Sequence, residues 1–456
     1  MISTSTNNNN NNKITKEMRY DQLTPISVYR AIAGEKQSAC MMESAYDEGY
    51  GTFSFIGINP VSTFKARVSP TSSEGHEIEI TQAGKTESFS CSEIDIYKSL
   101  EKFSRGHRVF GLVTYDAVRL KEKIPNRHVN YKKIPDFLFH IYQTVLRFDH
   151  KHQKLLITHA GTEGELDALI QKIFQPVVIS QFNTPVSANL VPDVSDSEFI
   201  EQVKTAQEYI KSGDIFQVVL SRSFKGKTKV KPFDFYRALR QLSPTPYLSF
   251  FDEPEFAIAS ASPELLVGVK NNIIESIPIA GTCRLGEDIQ KLLADPKENA
   301  EHVMLVDLAR NDVGSVAVPG SVQVTEYKTV RAYSHVSHLI SRVIGQINPA
   351  YTPLDVLKAS LPAGTLSGAP KIRAMEIIDE LETTRHSLYG GALVTIDELG
   401  NLTSAIAIRT AYFENGEIEI RAGAGIVLDS IPEKEAQETK LKAQGAIAAL
   451  ELALSL

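Results

Sequence analysis

Two pairs of glutamates have the spacing of a metal or acid–base site. Glu298 and Glu301 lie three residues apart in one segment with helical spacing, and Glu435 and Glu438 do so in another. Residues three apart share one face of a helix, so each pair presents two carboxylates together. Two such faces opposed would bind a hard cation such as Mg2+, partly through water. Spacing alone favours two solvated helix faces, because such pairs are common on surface helices.

Two glycine-rich stretches, residues 361–371 and 422–426, could bring backbone N–H groups to an anion. Neither is a nucleotide signature, because Pro370 separates the last glycine of the first stretch from Lys371, and the second lacks a third glycine. The first stretch precedes a predicted helix, whose N-terminus would favour a carboxylate. A turn and a tightly packed strand explain the same residues equally well.

Two histidines and one arginine complete the candidates. His335 and His338 lie three residues apart, but no cysteine or third histidine is near, so zinc is not indicated. A single acid–base or donor role and an ordinary buried histidine remain open. Arg409 lies within an apolar, strand-like run, residues 406–410. A buried arginine needs an anionic partner, which predicts either a structural ion pair or an anion-binding residue.

The elements that would position these residues mix strands and helices without a regular βαβ rhythm, which predicts an α+β fold. The last helix has Ser430 as a predicted cap, Pro432 in its first turn and Glu433 completing a capping box. Strand-like runs occur at residues 52–57, 110–115, 154–158, 273–279 and 392–396. Helical spacing occurs at residues 197–211, 296–311 and 372–381.

Bulk composition excludes several classes of protein. The chain has 456 residues, a formal net charge of −7 and three well-separated cysteines. An acidic balance argues against a nucleic-acid partner. The cysteines form neither a disulfide framework nor a zinc pattern, and no apolar run is long enough to cross a membrane, so we expect a cytoplasmic protein. Composition predicts four regions: a disordered tail (1–18), an N-terminal region (19–175), a linker (176–195) and a C-terminal domain (196–456).

From residue 212 to residue 450 the chain resembles the chorismate-utilising enzymes, and most closely the large subunits of anthranilate synthases. The resemblance is carried by ordered stretches: SGDIFQ (212–217), ASPE (261–264), PIAGT (278–282), DPKENAEH (295–302), VDLARND (306–312), LPAGTLSGAPK (361–371), YGG (389–391), AIAIRT (405–410) and RAGAG (421–425). It implies a large composite β-sheet core flanked by helices, with chorismate as substrate and residues 196–456 as the catalytic domain.

The resemblance also implies roles for individual residues. Glu301 and Glu438 would bind Mg2+ directly, with Glu298 and Glu435 supporting it through water. Glu264 would be the general acid at the departing 4-hydroxyl, which fits the need to protonate a poor leaving group. The other expected catalytic residues are His338, in the later pyruvate elimination, and Thr365. Substrate contacts are expected from Gly281, Thr282, Gly368, Tyr389, Arg409, Gly423, Gly425 and Lys442.

Two positions favour amination of the ring over other reactions of the family. Aminodeoxychorismate synthases often carry a nucleophilic lysine where Ala280 stands, and isochorismate and salicylate synthases carry a lysine base at the position of Gln217. Neither residue here can serve in that way, so ammonia would add at ring C2, followed by elimination of pyruvate. Aminodeoxychorismate synthase remains the alternative, since not every member need use the lysine.

The N-terminal region resembles the part of these enzymes that binds tryptophan as a feedback inhibitor. Ser44 belongs to a match of the LLES segment that begins with two methionines, and Pro246 and Tyr247 belong to a match of NPSPY in which Ser243 replaces asparagine. An ordinary core edge and a proline-containing turn explain the same residues. None of the three cysteines has the setting of an amidotransferase nucleophile. We therefore expect ammonia from a separate glutamine amidotransferase subunit in a hetero-oligomer; a non-catalytic tryptophan-sensing subunit is the remaining alternative.

Overall fold

The computed structural model describes residues 3–6, 13–33, 38–44, 53–69, 75–91, 95–176, 180–284, 296–332 and 336–456. Within them lie nine α-helices and twenty-three strands, together with two short 3-10 helices, Tyr115–Leu120 and Gly364–Leu366. The helices are α1 (Pro25–Ile32), α2 (Ile96–Ser104), α3 (Glu163–Ile173), α4 (Asp196–Lys211), α5 (Pro232–Leu242), α6 (Pro296–Gly314), α7 (Pro353–Ser360), α8 (Lys371–Leu381) and α9 (Pro432–Ala453).

The first strands in the chain are β1 (Ser3–Thr6), β2 (Lys13–Arg19), β3 (Ala39–Ser44), β4 (Phe53–Arg67), β5 (His76–Gln82), β6 (Lys85–Cys91), β7 (Val109–Val113), β8 (Phe137–Asp149), β9 (Lys154–Ala160), β10 (Val191–Pro192), β11 (Gln217–Lys227) and β12 (Tyr247–Asp252). The remainder are β13 (Phe256–Ser262), β14 (Leu265–Lys270), β15 (Ile273–Ser276), β16 (Ile279–Arg284), β17 (Gln323–Ala332), β18 (Val336–Gln346), β19 (Gly368–Ala369), β20 (Ala392–Ile396), β21 (Leu402–Ile406), β22 (Thr410–Glu414) and β23 (Glu417–Ile426).

Two long strands, β4 and β8, join the sheet into two layers. One layer runs β1-β2-β9-β8-β4-β3-β12-β13-β22-β23-β11, and the other runs β6-β5-β4-β8-β7-β20-β21-β14-β15-β18-β17. The first half of β4 pairs with β3 and its second half with β5, with a register shift between Pro60 and Ser62. Such an irregularity bends a strand, which lets one strand serve both layers.

Side chains from both layers bury one another, and helices cover the outer faces. The interior between the layers contains Cys40 of β3 and Ile258 of β13 from one side, with Leu112 of β7 and Leu393 of β20 from the other. Helices α1, α3, α5 and α9 pack on the outer face of the first layer, and α2, α6 and α7 on that of the second. The predicted α+β fold with a large composite sheet flanked by helices is confirmed.

Most predicted elements of the C-terminal half are confirmed. The helix predicted at 197–211 is Asp196–Lys211, and the strand predicted at 392–396 is Ala392–Ile396. The strand predicted at 273–279 is two strands, Ile273–Ser276 and Ile279–Arg284. Pro278 lies in the break, where its missing N–H cannot continue a ladder.

The predicted start of the last helix is partly wrong. Pro432 is its first residue, as expected, but the residue before the helix is Ile431, which makes no side-chain capping bond. Ser430 instead accepts a hydrogen bond from the backbone N–H of Val427, at 3.1 Å. A local turn therefore uses the hydroxyl that the pattern assigned to the helix.

The N-terminal region supplies strands to both layers. Its strand β3 pairs with β12, and its strand β7 pairs with β20. No helix among the described residues is long and apolar enough to span a membrane.

Candidate active site

Glu264 lies in the short connection between β13 and β14, and a partner from a distant loop holds it. The hydroxyl of Thr365, in the second 3-10 helix, donates to Glu264 Oε1 at 3.1 Å. Burial raises the pKa of Glu264 to about 7, against smaller lowering effects of Thr365, Arg409 and Lys442. A carboxyl with a pKa near neutrality keeps its proton for much of the time, so it can act as a general acid.

The backbone at Arg409 differs from the predicted strand. Arg409 is exposed and lies in a turn between β21 and β22, with a left-handed φ of 49°. The apolar run around it therefore does not continue as a strand. Arg409 acts electrostatically on Glu264 and lowers the pKa of that carboxyl, so its positive charge lies near the acid.

The last helix brings a cation and a carboxylate to the same place. Lys442 Nζ lies 2.7 Å from Glu438 Oε1 one turn earlier on α9, and it donates to the carbonyl oxygen of Gly423 at 3.1 Å. Both side chains are about half exposed, at 53% and 45%. A pair this exposed contributes little to stability, so both groups remain available to a ligand.

Glu301, on α6, accepts a hydrogen bond from Gln217, the first residue of β11, and β11 pairs with the end of β23. Gln217 is 4% exposed, and its Nε2 donates to Glu301 Oε1 at 3.3 Å. The Oε1 of Gln217 is buried and has no hydrogen-bond partner among the described residues. A Cβ at Gly425 would lie 2.6 Å from Gln217 Nε2, so only glycine leaves this amide in place.

Two further glycines allow close approach of the chain. Gly368 has a φ of +140°, and a Cβ there would lie 2.2 Å from the carbonyl oxygen of Gln217. A Cβ at Gly423 would lie 2.7 Å from the hydroxyl of Tyr389 and from the carbonyl oxygen of Leu220. The glycines thus bring the Tyr389 hydroxyl and the loop with Thr365 against β11 and β23.

The structure therefore brings many of the predicted residues to one cleft around the ends of β11 and β23. For other predicted residues, only the backbone is described. Thr282 of β16 pairs with His338 of β18, and Gly281 lies between paired positions, but these side chains lie outside the described residues. The side chain of Glu298 and all of His335 also lie outside them. Among the residues that the structure describes, no three acidic, histidine or cysteine side chains converge, and Glu435 is 6% exposed.

Sequence reasoning missed the buried charge cluster behind Tyr389. Glu382 accepts hydrogen bonds from the backbone N–H and hydroxyl of Ser221 and pairs with Arg421 and with His386, at 2.9 Å from the latter. The guanidinium of Arg421 lies 6.0 Å from the centre of the Tyr389 ring. The spacing of Glu382 and His386 did not indicate the contact, because both follow the end of α8 and do not share a helix face.

A second candidate site lies between the two layers of the sheet. A cavity of about 280 Å3 is lined by Met42, Glu43 and Tyr247 from the predicted inhibitor segments, together with Arg108 and Arg147. Ser44 and Tyr247 are paired in register across β3 and β12, and Pro246 directly precedes β12. The side chain of Ser44 lies outside the described residues.

An acid of near-neutral pKa, exposed cations and two carboxylates in one cleft suit the binding of an anionic substrate. A family model for chorismate binding enzymes matches residues 38–448. The chain belongs to this family. The anthranilate synthase component 1 of Acetivibrio thermocellus is 37% identical, over 96% of this chain and 95% of the relative. The aminodeoxychorismate synthase component 1 of Bacillus subtilis (strain 168) is 34% identical, over 96% and 97% respectively.

Solved structures agree with the fold. The crystal structure of anthranilate synthase component I from Streptococcus pneumoniae TIGR4 superimposes with a TM-score of 0.77 at 35% identity, covering 94% of this chain and 99% of that one. The menaquinone-specific isochorismate synthase MenF from Escherichia coli superimposes with a TM-score of 0.71 at 16% identity, covering 96% of this chain and 95% of that one. At that identity the likeness shows the fold alone.

Proposed function

We propose that this chain is the large subunit of an anthranilate synthase, which converts chorismate and ammonia into anthranilate, pyruvate and water. The observation that carries the proposal is the neutral amide of Gln217, held against Glu301 with its Oε1 unpartnered among the described residues. A buried acceptor without a partner is costly, and an N–H of ammonia would satisfy it. Water-using relatives are expected to carry a lysine base there, and an amide cannot remove a proton from water.

The first half of the reaction needs an acid. As the nitrogen of ammonia bonds to ring C2, the C4–O bond breaks, and Glu264 gives its proton to the departing oxygen, which leaves as water. The pKa of about 7 supports this role, because the acid must hold a proton until the bond breaks. Thr365, by donating to Oε1, favours the other oxygen of Glu264 as the one that carries the proton.

The second half removes the C2 proton and breaks the C3–O bond, which releases pyruvate and gives the aromatic ring. His338 is the residue we assign to this step, from the resemblance alone. Substrate binding needs two anchors for two carboxylates. We assign the enolpyruvyl carboxylate to Arg409 and Tyr389, and the ring carboxylate to Lys442 and the N–H groups near Gly425. The pocket wall is assigned to Gly281, Thr282, Gly368 and Gly423.

Mg2+ fits the donors present in the cleft. Mg2+ is usually bound by one or two carboxylates, the substrate and several waters, rather than by a closed protein cage. Glu301 and Glu438 supply two such carboxylates. Glu438 pairs with Lys442, which donates to the carbonyl oxygen of Gly423 in β23, and Glu301 accepts from Gln217, the first residue of β11, the strand paired with β23. We propose that they bind Mg2+, with Glu298 and Glu435 supporting it through water. The ion would neutralise the ring carboxylate.

The test is a product assay with the purified chain, chorismate, Mg2+ and a high ammonium concentration. We expect fluorescent anthranilate and an equal amount of pyruvate, lost when Glu438→Gln removes one carboxylate charge. Glu433→Gln, an exposed position on the same helix, is the matched control and should keep the activity. Isochorismate as the product would contradict the assignment of Gln217.

Aminodeoxychorismate synthesis is a second candidate, favoured by the relative of that name at 34% identity. That reaction places the amino group at C4, in place of the departing hydroxyl, and keeps the enolpyruvyl group. Mass detection of a product that keeps the enolpyruvyl group would select it over anthranilate. Retention of Glu264, Arg409 and the acidic residues argues against the non-catalytic sensing subunit.

Ammonia would come from a separate glutamine amidotransferase, as the component 1 names of the relatives suggest. We therefore propose a hetero-oligomer. Glutamine alone should support no anthranilate formation by the isolated chain, whereas ammonium should. Glutamine-dependent turnover by the isolated chain would contradict this.

Tryptophan is proposed as an inhibitor that binds in the interlayer cavity. Its volume of about 280 Å3, its aromatic wall with Phe53 and Phe55, and its charges of both signs suit an aromatic amino acid zwitterion. Saturating tryptophan should lower anthranilate formation in the wild type. Tyr247→Ala should weaken inhibition and leave the uninhibited rate unchanged. Full activity of the wild type in tryptophan would refute the regulatory role.

A further inference from the structure

A small cavity adjoins Glu264 and is not used by the steps of the proposed reaction. This cavity, here called the rear cavity, has a volume of about 40 Å3 and is lined by Glu264, Thr365 and, from α6, Asp312. Most of the remaining wall is apolar and includes Leu308 and Ala309 of the same helix. The rear cavity therefore connects the proposed general acid with a second carboxyl group, which belongs to a different element of the fold.

Asp312 lies where the rear cavity approaches solvent. Its side chain and that of Lys371 are each 16% exposed, so the pair reaches the surface. Lys371 Nζ donates to both carboxylate oxygens of Asp312, at 2.9 and 2.8 Å. Burial raises the pKa of Asp312, against the lowering effects of Lys371 and Lys121. A carboxyl group of raised pKa that reaches solvent can take up a proton from water and pass it on.

The rear cavity has the size and the polar groups to hold water. A volume of about 40 Å3 accommodates about three water molecules. Ser360, which is 5% exposed, also lines the cavity, and its hydroxyl donates to the carbonyl oxygen of Val356 at 2.9 Å. The oxygen of that hydroxyl can still accept from water, as can the carboxyl groups at Glu264 and Asp312. A chain of hydrogen-bonded water molecules can carry a proton between two such carboxyl groups.

The proposed reaction creates a need for this transfer. The O–H bond of Glu264 breaks in each turnover, when the departing oxygen at C4 takes the proton and leaves as water. The ammonium group formed at C2 releases one proton to solvent, so the reaction as a whole neither gains nor loses a proton. Glu264 must nevertheless regain its own proton before the next turnover. A substrate or product in the cleft blocks the approach from that side, whereas it leaves the rear cavity open.

We infer that Asp312 resupplies the proton of Glu264 through water in the rear cavity. The O–H bond of Asp312 breaks, each water passes on one proton as it receives another, and an O–H bond forms on Glu264. Asp312 then takes a replacement proton from solvent, on the side that it shares with Lys371. Asp312 acts through Glu264 and does not touch the substrate. The inference rests on the proposed function, because it requires Glu264 to lose a proton in every turnover.

The first test is a rapid-quench measurement of anthranilate formation by the full chain with chorismate, Mg2+ and ammonium. Asp312→Asn keeps an acceptor for Lys371 but cannot carry the proton. Its first turnover should keep the wild-type rate, because Glu264 starts with its proton, and later turnovers should slow about tenfold or more. The trace should therefore show a burst of at most about one anthranilate per active site. Asp307→Asn, a 63% exposed carboxylate on the same helix, is the matched control and should show the wild-type trace.

A cavity-filling variant gives a second readout that leaves both carboxyl groups in place. Ala309→Val adds two methyl groups to the apolar wall, which should displace water and slow the later turnovers in the same way. Wild-type later turnovers in Ala309→Val would show that the proton does not travel through the rear cavity.

Two results for Asp312→Asn would overturn the inference. A first turnover slowed as much as the later ones would show a structural role, and later turnovers at the wild-type rate would show no role. Anthranilate formation by the wild type without a burst in either variant would refute this inference alone. If the wild type forms no aminated product, the proposed function fails and the inference fails with it.

Discussion

The candidate catalytic cleft and the interlayer cavity differ in how their charged side chains are paired. In the cleft, Lys442 and Glu438 form a half-exposed pair, and Arg409 is exposed beside Glu264. In the cavity, Glu43 accepts hydrogen bonds from Tyr236 and Arg240, while Arg108 pairs with Glu398 and stacks on Phe55. The charged side chains of the cleft are thus open to a ligand. In the cavity, Glu43 and Arg108 are paired within the wall, and Arg147 Nε is buried without a hydrogen-bond partner among the described residues. Substitutions in the cleft should therefore change the reaction, and substitutions in the cavity only its regulation.

The largest expected effect is that of Glu264→Gln. An amide cannot donate the proton that the 4-hydroxyl needs, so kcat should fall by about 10^2- to 10^4-fold while chorismate binding persists. Steady-state anthranilate formation measures this, with Glu255→Gln, an exposed carboxylate before β13, as the control. A kcat within threefold of the wild type would remove Glu264 from the chemistry.

The pH dependence should follow the same acid. Because Glu264 must be protonated and its pKa is about 7, kcat/KM for chorismate should fall about tenfold per pH unit above that value. Thr365→Ala removes a hydrogen bond that lowers this pKa, so the falling limb should move to higher pH. The profiles must be compared at one concentration of free ammonia. A limb that stays in place in Thr365→Ala would contradict the assignment.

Two glycine substitutions should distinguish an effect on catalysis from an effect on the free energy of unfolding. Gly425→Ala would displace the flexible amide of Gln217, and we expect about a tenfold loss in kcat/KM for ammonia with an unchanged unfolding temperature. Gly423→Ala would instead meet the carbonyl oxygen of Leu220, so the backbone must shift and stability should fall by about 1–3 kcal/mol. Ammonia kinetics and thermal unfolding of both variants check this, and equal losses of stability would refute it.

The smallest expected effect concerns the cavity. The guanidinium of Arg147 lies 5.2 Å from the centre of the Phe53 ring, a contact that lysine reproduces poorly. Arg147→Lys should weaken tryptophan inhibition about fivefold, equivalent to about 1 kcal/mol. The uninhibited rate should not change, since the cavity is separate from the cleft. A lower uninhibited rate would show that the two regions are coupled without the ligand.

Local sequence patterns were sufficient to predict many helices and strands of this protein. Helices α4 and α8 and strand β20 were predicted within a residue of their bounds, because hydrophobic period and turn residues are local properties of a chain. The family and its α+β fold also followed from the sequence, through ordered motifs spread over more than half of its length. The pattern was wrong at Arg409 and at Ser430, where a turn replaced the expected strand and helix cap.

The tertiary structure alone decided the chemistry of the cleft. Thr365 meets Glu264 across 101 residues, and Gln217 meets Glu301 across 84. The raised pKa of Glu264 comes from burial, which depends on segments that no window of sequence contains. The charge cluster behind Tyr389 likewise needs β11, β23 and the loop after α8 to meet. The sequence by itself determined which residue types were available and which helices and strands carry them. Only the tertiary structure decided which of these side chains are buried from solvent and which remain exposed to it.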